Sequence, residues 1–407
     1  MTTTGTRAGR IASVFLTALA ASGCSDLLDV TNPGPIEDDD LNAPGAMPAL
    51  VTGMAGDLAV ALSITTIWGS VWSDDLLHSG TLGAPTVFAQ GDIDATQVNP
   101  WWNDAHTARW VAEDGIRRMQ EVLGDGFTTS ALAPRAYLIA GFANRILGES
   151  VCQAVIDGGA PTPFTDHFIR AEGQFTEALG LAGAQGEAEL VTVAHAGRAQ
   201  VRAALGDWEG AAADAALVPS DFRHDAVYST NTERETNGWP EDTLTRGEYT
   251  VWGTPWYEIP DDPRIPWEEV LTGTGALATA ANGSTPWVRQ QKHLTDADEI
   301  ALAKGTEMLL IRAEAALRAG DPGTAMDLMN DVRTSHGLGT LSAADEAAAW
   351  PILQAERGKT LWLEGRRFWD LRRWYDEEGP AHHGFLEGRD RCVPISDSER
   401  LSNPNVS

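Results

Sequence analysis

The chain has 407 residues and a formal net charge of −29, with 58 acidic residues against 29 lysines and arginines. Proteins that bind nucleic acids gain affinity by neutralising phosphates with a basic surface, so this charge argues against a nucleic-acid partner. Hydrophobic residues make up 43% of the sequence, which is enough for a buried core and too much for a globally disordered chain.

Residues 1–23 have the pattern of a secretory signal peptide. Two arginines precede the apolar run 11–23, which is too short to span a bilayer. Ala-Ser-Gly-Cys at 21–24 is similar to a bacterial lipobox, in which the thiol of Cys24 would carry a diacylglyceryl group and anchor the mature chain. The alternative is ordinary cleavage nearby, which leaves a free thiol. No later segment reaches 18 consecutive apolar residues, so none is predicted to span a membrane.

Residues 24–45 are predicted to form a tether that leads away from the membrane. The segment lacks hydrophobic periodicity and contains three prolines. Its acidic run 37–40 does not have the D-x-D-x-D-G spacing of a calcium loop, so we interpret it as a solvated turn. The remainder, 46–407, is predicted to be a single domain.

Helical signals dominate from residue 46 onward. Apolar and small residues recur at helical spacing in 46–62, 101–123 and 133–156, and each segment is predicted to be a helix. Three more helices are predicted within 167–218, where alanines three to four residues apart would let helix backbones approach closely. The predicted fold class is therefore mainly α.

One helical unit occurs twice in the sequence. Segments 198–218 and 312–332 are identical at six of 21 aligned positions, and both contain a Gly-Asp dipeptide, at 206–207 and 320–321. Each glycine is predicted to end the leading helix in a left-handed conformation, and each aspartate to cap the next helix. The pattern resembles tetratricopeptide helix pairs, which bury their apolar faces against each other.

Two stretches do not follow the helical pattern. Residues 219–300 contain seven prolines and five tryptophans with little periodicity, and we predict short strands and turns that lie across the helical scaffold. A loop-rich insertion of this length in a compact domain is uncommon unless it is functional. Residues 71–100 are predicted to be a shorter stretch of the same kind.

The stretch EGRRFWDLRRWYDE, 364–377, combines four arginines with two tryptophans and a phenylalanine. It could be an anion-binding site, or a structural helix whose arginines pair with the chain's own carboxylates and stack on its aromatic rings. The large excess of acidic residues favours the structural helix. We also expect these arginines to lie near a helix C-terminus, where positive charge is stabilising.

Cys152 and Cys392 are the cysteines that follow Cys24. In an exported protein they could form a disulfide that ties the middle of the chain to its tail. The alternative is two separate buried thiols, because the sequence alone does not show whether the two residues are close.

Three blocks near the C-terminus carry a family resemblance. They are IRAEAALRAGDPGTAMDLMNDVRTSHGL (311–338), LQAERGKTLWLEGRRFWDLRRW (353–374) and CVPISDSERLSNPN (392–405). In this order and spacing they resemble the C-terminal signature of the SusD/RagB family. The lipobox cysteine, the opening LLDVTNP (27–33) and the helices within 167–218 agree with that resemblance.

The resemblance implies an outer-membrane lipoprotein, with a lipid anchor and facing the cell surface. Such a protein is built on tetratricopeptide-like helices and caps a SusC-like TonB-dependent transporter barrel. It captures a nutrient, often a glycan or another oligomer, for import, and it is not an enzyme. A second hypothesis is a helical scaffold lipoprotein that binds other envelope proteins, and a third is a secreted glycoside-cleaving enzyme.

A glycan site would use aromatic faces and a few polar groups, so the 15 tryptophans are the first candidates. Those in helical segments are predicted to be core residues: Trp110, Trp208, Trp350, Trp362, Trp369 and Trp374. From the irregular regions and their borders we predict the ligand-binding residues Trp68, Trp72, Asp74, Asp75, His78, Trp101, Trp102, Asn103, Trp252 and Trp256.

Signals for catalysis are weak. The sequence has no G-x-S-x-G, H-E-x-x-H or P-loop motif. His382 and His383 are predicted to be an exposed loop pair and not a metal site. We therefore predict no catalytic residue, no metal and no cofactor.

Overall fold

The structure, a computed structural model, describes residues 38–379 and 384–406. Within the described residues, the chain from Ala43 onward forms one compact unit, and Asp38–Asn42 form a short 3₁₀ helix that is not part of it. The predicted signal peptide 1–23, the lipid attachment at Cys24 and the pair His382–His383 lie outside the described residues and stay predictions.

The fold is mainly helical, which confirms the predicted class. Its α-helices are α1 (Met47–Trp72), α2 (Gly83–Gln90), α3 (Asn99–Leu123), α4 (Leu132–Ser150), α5 (Thr165–Gln185), α6 (Ala188–Ala204), α7 (Trp208–Ala215), α8 (Gly305–Arg318), α9 (Pro322–Ser335), α10 (Glu346–Thr360), α11 (Arg367–Glu378) and α12 (Asp397–Ser402).

The helices pack on each other in an order that follows the chain. α1 lies against α3, and from α3 to α9 each helix contacts the next one in sequence. Close approach depends on small residues where helices meet. At Gly197 on α6, an added Cβ would lie 2.3 Å from Cε1 of Phe175 on α5. The apolar side chains of these helices form the main core, and α8, α9 and α10 enclose a second one around Leu310 and Met329.

The repeated Gly-Asp dipeptides are confirmed as helix boundaries. Gly206 and Gly320 have φ angles of 82° and 76°, in the left-handed region that glycine tolerates best. Asp207 accepts a hydrogen bond from the Gly210 amide at 2.9 Å, and Asp321 accepts one from the Thr324 amide at 3.0 Å. Each aspartate therefore caps the following helix, as the sequence predicts.

Helix α1 continues ten residues beyond its predicted end at residue 62. Its second half is rich in serine and threonine, whose hydroxyls bond to carbonyls of the same helix, as Thr65 does to Ala61 at 2.6 Å. Residues 44–72 are long and apolar enough to cross a membrane by length and composition, contrary to the sequence prediction. More than half of the most apolar window is buried against neighbouring elements, as in the core helix of a globular domain.

Two other boundaries also differ from the prediction. Helix α4 stops at Ser150 because Val151 forms a bridge with Val393 and the Cys152 amide donates to the Val393 carbonyl at 2.9 Å. The stretch 71–100, predicted to be irregular, contains α2. Next to the bridge between Val151 and Val393, a disulfide joins Cys152 and Cys392, whose Cα atoms are 4.8 Å apart.

The insertion 219–300 is confirmed as short strands and turns. The strands of the molecule are β1 (Leu77–His78), β2 (Gln153–Ala154), β3 (Thr162–Pro163), β4 (Arg223–Ala226), β5 (Tyr249–Thr250), β6 (Trp267–Glu269), β7 (Val288–Gln290) and β8 (Ile300–Lys304). They form antiparallel pairs, β1 with β5, β2 with β3, β4 with β8 and β6 with β7. Because most strands have only two to five residues, they fix loop positions and do not build a larger sheet.

The arginine-rich stretch is structural, as predicted. Its arginines do not all lie near a helix C-terminus, which differs from the prediction. A turn with left-handed Leu363 and Gly365 separates α10 from α11, so Arg366 and Arg367 begin a helix and do not end one. Positive charge is unfavourable at the start of a helix, and nearby carboxylates neutralise the charge of these two arginines. Arg366 pairs with Glu149 and Glu307, and Arg367 lies 2.6 and 2.8 Å from the two oxygens of Asp74.

Candidate functional site

Two of the tryptophans predicted to bind ligand, Trp72 and Trp101, lie in the core, and Trp68 is half-buried against it. Trp68, Trp72 and Trp101 line a small cavity of about 20 Å³ together with Phe88 and Phe368. The Trp72 indole donates to the Asp390 carbonyl and stacks on Phe368, with ring centroids 3.5 Å apart. The Trp101 indole donates to the Thr65 hydroxyl at 2.9 Å. These side chains therefore hold the fold together and do not present faces to a ligand.

Of the predicted polar residues that follow α1, Asp74 has a partner within the protein, whereas Oδ1 of Asp75 and Nε2 of His78 are buried without a hydrogen-bond partner among the described residues. Asp74 is paired with Arg367, and burial together with the neighbouring Asp74 charge raises the pKa of Asp75 well above its usual value. Burial lowers the pKa of His78, whose ring lies 3.9 Å from Glu248. A ligand would have to displace Arg367 to reach Asp74, so the carboxylate of Asp74 has a structural role.

Trp256 is buried as well. Its ring faces the Arg367 guanidinium at 5.3 Å and fills the space beside Gly358, where an added Cβ would lie 2.6 Å from the indole. Trp102 and Asn103 are elsewhere, at a cavity beside α3. Of the ten predicted residues, only Trp252 belongs to the aromatic surface described next.

Three half-buried aromatic rings lie in a row on the insertion, and we call them the aromatic arc: Trp252, Tyr257 and Trp267. The ring centroids of Trp252 and Tyr257 are 4.9 Å apart, and those of Tyr257 and Trp267 are also 4.9 Å apart. Successive rings are tilted by 50° and 38°, so the aromatic surface turns along its length. The phenol of Tyr257 is at the surface and donates to Glu269 at 2.7 Å.

The backbone beneath the aromatic arc is fixed by hydrogen bonds. The Thr250 hydroxyl oxygen accepts from the Trp252 amide at 3.2 Å and from the Val288 amide at 2.9 Å. Trp267 begins β6 and is paired with Gln290 of β7. The rings also pack with one side against the main core, so a ligand would meet a surface that is already in place.

The charges beside the aromatic arc are mainly negative. Glu269 is exposed and accepts the Tyr257 hydroxyl, and this hydrogen bond raises the pKa of Tyr257 and keeps the phenol protonated. Glu268 is also exposed and pairs with Arg289. The surface therefore offers hydroxyl-binding carboxylates next to apolar ring faces, while its one nearby arginine is already paired.

The sequence analysis missed two members of the aromatic arc. It placed Trp267 among the loop tryptophans without selecting it and did not consider Tyr257. A signal was present, because 252–267 contains three tryptophans and one tyrosine in a proline-rich segment without helical periodicity. The reverse error concerns Trp110, which was predicted to be a core residue but is 53% exposed.

No group of three or more histidine, cysteine, aspartate and glutamate side chains is placed to hold a metal ion in residues 38–379 and 384–406. The acids near the aromatic arc are engaged with Tyr257 and Arg289, as described above. The arrangement at this surface can bind a ligand, and its chemistry is that of stacking and hydrogen bonding.

Comparisons with known proteins identify the fold. Residues 296–404 match the model of the SusD family. Two SusD superfamily proteins have the same fold, one from Bacteroides thetaiotaomicron (13% identity, TM-score 0.68, 90% of this chain and 98% of that chain) and one from Bacteroides vulgatus (15%, 0.68, 89% and 97%). A laminarin-binding SusD-like protein is similar, with 14% identity and a TM-score of 0.61 over 90% of this chain and 98% of that chain. No curated protein matches.

The helical scaffold and its loop insertion thus define a SusD-like protein. The family match contains the blocks 311–338 and 353–374 and all but the last residue of 392–405. It confirms, over residues 296–404, the resemblance inferred from the sequence, and the fold of the chain is SusD-like.

Proposed function

We propose that the protein binds a glycan on the aromatic arc and passes it to a TonB-dependent transporter in the outer membrane. The observation that carries the glycan part is the row of three rings at equal 4.9 Å spacings. Sugar rings have apolar C–H faces that stack on aromatic side chains, while their hydroxyls need a few placed polar groups. The aromatic arc supplies the stacking faces, and Glu269 beside Tyr257 supplies an acceptor.

The tilt of the rings narrows the class of glycan. Because successive rings are turned by 50° and 38°, each stacked sugar would be turned relative to the previous one. This geometry favours a glycan that curves or twists over one that forms a flat ribbon. The exposed carboxylates of Glu268 and Glu269 would repel uronic acids, so the expected ligand is a neutral glycan.

Titration calorimetry tests glycan binding. Laminarin, the ligand of a structural relative, is the first probe, followed by starch and mannan as neutral glycans and polygalacturonate as an acidic one. We expect a neutral glycan to bind and the double variant Trp252→Ala/Trp267→Ala to lose at least tenfold in affinity, since the aromatic arc loses two of its stacking faces. The matched control is Trp350→Ala on α10, a half-buried tryptophan outside the aromatic arc.

Two results would contradict the proposed site. One is that no neutral glycan binds the wild-type protein. The other is that a bound glycan loses no affinity in the double variant, or loses as much in Trp350→Ala. Thermal unfolding of the wild type and both variants distinguishes a loss of ligand contacts from a loss of fold.

The transporter partnership rests on the family and on the predicted lipid anchor at Cys24, and it needs a separate experiment. Tagged full-length protein is purified from its native outer membrane, with Cys24→Ser as the matched variant without an anchor. We expect a stoichiometric barrel protein of transporter size with the wild type. Recovery of envelope-assembly proteins in its place would support the scaffold hypothesis.

A further inference from the structure

A larger cavity, of about 430 Å³, lies beside the first turns of α3, and we call it the α3 cavity. The residues on which the argument rests are Trp102, Asn103, His106, Trp110, Asp157 and Glu399. It shares no lining residue with the small cavity between Trp68, Trp72 and Trp101, and it includes no residue of the aromatic arc. Its volume is within the range of small-molecule sites in proteins.

An exposed indole forms one wall of the α3 cavity. Trp110 is 53% exposed, although α3 buries the other tryptophans of its first turns almost completely. Isolated exposed apolar residues are common on proteins, but this one borders a concave space with polar groups on several sides. An aromatic face in that position is suited to an apolar ligand surface.

Two buried polar atoms at the α3 cavity have no hydrogen-bond partner within the described residues. They are Nε1 of Trp102, whose side chain is 2% exposed, and Nε2 of His106. The two rings stack with centroids 4.2 Å apart, and burial lowers the pKa of His106 well below its usual value, so the imidazole is neutral. Buried polar groups of native proteins are normally hydrogen-bonded, so this unpaired pair leaves the wall of the α3 cavity with unsatisfied polar atoms beneath its surface.

The opposite wall is held in a strained conformation. Asp157 has a φ of 51°, a left-handed angle that is unusual for a residue other than glycine. The side chains of Asn405 and Asn403 donate to the carbonyls of Gly158 and Gly159 at 2.7 and 3.0 Å and fix this loop. Asp157 also accepts from Arg109 at 3.1 Å while 58% of its side chain remains exposed. The loop therefore presents a carboxylate at a fixed position.

We propose that the α3 cavity is a second carbohydrate site that takes a mono- or disaccharide with neutral or amino substituents. Trp110 offers a stacking face, and Asp157 and Glu399 accept hydroxyl or ammonium protons. Arg109 does not favour an acidic sugar, because Glu113 at 2.7 Å and Asp157 already hold its guanidinium. This site goes beyond the proposed function, and its argument does not depend on the aromatic arc.

Saturation-transfer NMR on the full chain tests this site with four named probes: glucose, glucosamine, N-acetylglucosamine and glucuronic acid. We expect saturation transfer to at least one of the first three and none to glucuronic acid. The signal should fall at least fivefold in Trp110→Ala and remain in Trp252→Ala/Trp267→Ala, where the aromatic arc is damaged. The reverse pattern would assign the signal to the aromatic arc and overturn the proposal.

A second variant keeps the test valid if Trp110→Ala folds poorly. Asp157→Gly removes the carboxylate but suits the left-handed backbone, and Arg109 keeps its pair with Glu113, so the backbone gain offsets the lost ion pair and the fold should be retained. We expect this variant to lose the saturation-transfer signal without losing stability. Unchanged signals in Asp157→Gly and Trp110→Ala, or no signal from any of the four probes with the wild type, would overturn the proposal.

Discussion

Arg357 and Asp370 form a buried bidentate ion pair that joins α10 to α11. Nε and Nη2 of Arg357 lie 2.9 and 3.0 Å from the two carboxylate oxygens, and both side chains are at most 3% exposed. Arg373 donates to the same carboxylate at 2.8 Å. Asp370 and Arg373 belong to the arginine-rich stretch, and their contacts show why the arginines there are structural, since buried charges are tolerated only when they are paired.

We expect Asp370→Asn to lower the free energy of unfolding by about 3–5 kcal/mol, because it leaves the buried guanidinium of Arg357 without the carboxylate to which it is hydrogen-bonded, while Arg373 keeps Glu314. Chemical denaturation by guanidinium chloride measures the change. The control is Glu121→Gln, which breaks the exposed pair of Glu121 with Arg117 and should change stability by less than about 1 kcal/mol. Equal effects of the two substitutions would show that burial does not set the strength of the pair.

Glu364 gives a pH-dependent prediction. Burial alone would raise its pKa, but Lys292 and Lys304, with their ammonium groups 2.6 and 2.7 Å away, lower the pKa from 4.5 to about 2. A depressed pKa stabilises the folded state above the unfolded pKa, and this stabilisation is lost as the pH falls from about 4.5 to about 2. At about 1.4 kcal/mol per unit, the contribution at pH 7 is about 3 kcal/mol.

The stability difference between the wild type and Glu364→Gln should therefore be large at pH 7 and shrink by about 3 kcal/mol near pH 2. Urea unfolding at a series of pH values measures it. The same difference at pH 3 and pH 7 would argue that Glu364 keeps an ordinary pKa in the folded protein.

The disulfide between Cys152 and Cys392 closes a loop with a sequence separation of 240 residues. Closing a long loop restricts the unfolded chain, so we expect the double variant Cys152→Ser/Cys392→Ser to lose about 2–5 kcal/mol of stability. Dithiothreitol should lower the stability of the wild type by a similar amount and leave the double variant unchanged. A reductant effect of equal size on both proteins would rule out this bridge as its source.

Gly197 tests the close packing of α5 and α6. We expect Gly197→Ala to destabilise the protein by about 1–3 kcal/mol, because its Cβ would lie 2.3 Å from the ring of Phe175. Gly173→Ala on the open face of α5 should stabilise it by about 0.5–1 kcal/mol, since no atom lies within 4 Å of that Cβ. Thermal unfolding of both variants measures the contrast, and a neutral Gly197→Ala would mean that the two helices are not held at this distance.

Several features of the fold were predictable because they depend on local chemistry. The Gly-Asp dipeptides at 206–207 and 320–321 identify helix ends through backbone conformation and a capping hydrogen bond. The irregular character of 219–300 follows from its prolines and lack of periodicity. Boundaries were harder to predict where the cause was not local, as at Ser150, where pairing of Val151 with Val393 ends α4.

The placement of the tryptophans was not predictable in the same way. Trp101 and Trp252 both occur in or beside irregular regions, yet Trp101 is in the core and Trp252 is half-buried at the surface. Trp110 lies on a helix and is exposed. An indole has similar local preferences in all three positions, so the neighbours that each one meets decide its exposure.

The sequence by itself determined the helical scaffold, its caps, the irregular insertion and the family signature, because each depends on residues close together in the chain. Only the tertiary structure decided which aromatic rings meet and which charges pair. The aromatic arc needs β6 to pair with β7, and the Arg367–Asp74 pair joins residues 293 positions apart. Such contacts depend on how separate segments pack, and a local pattern of residue types does not encode that packing.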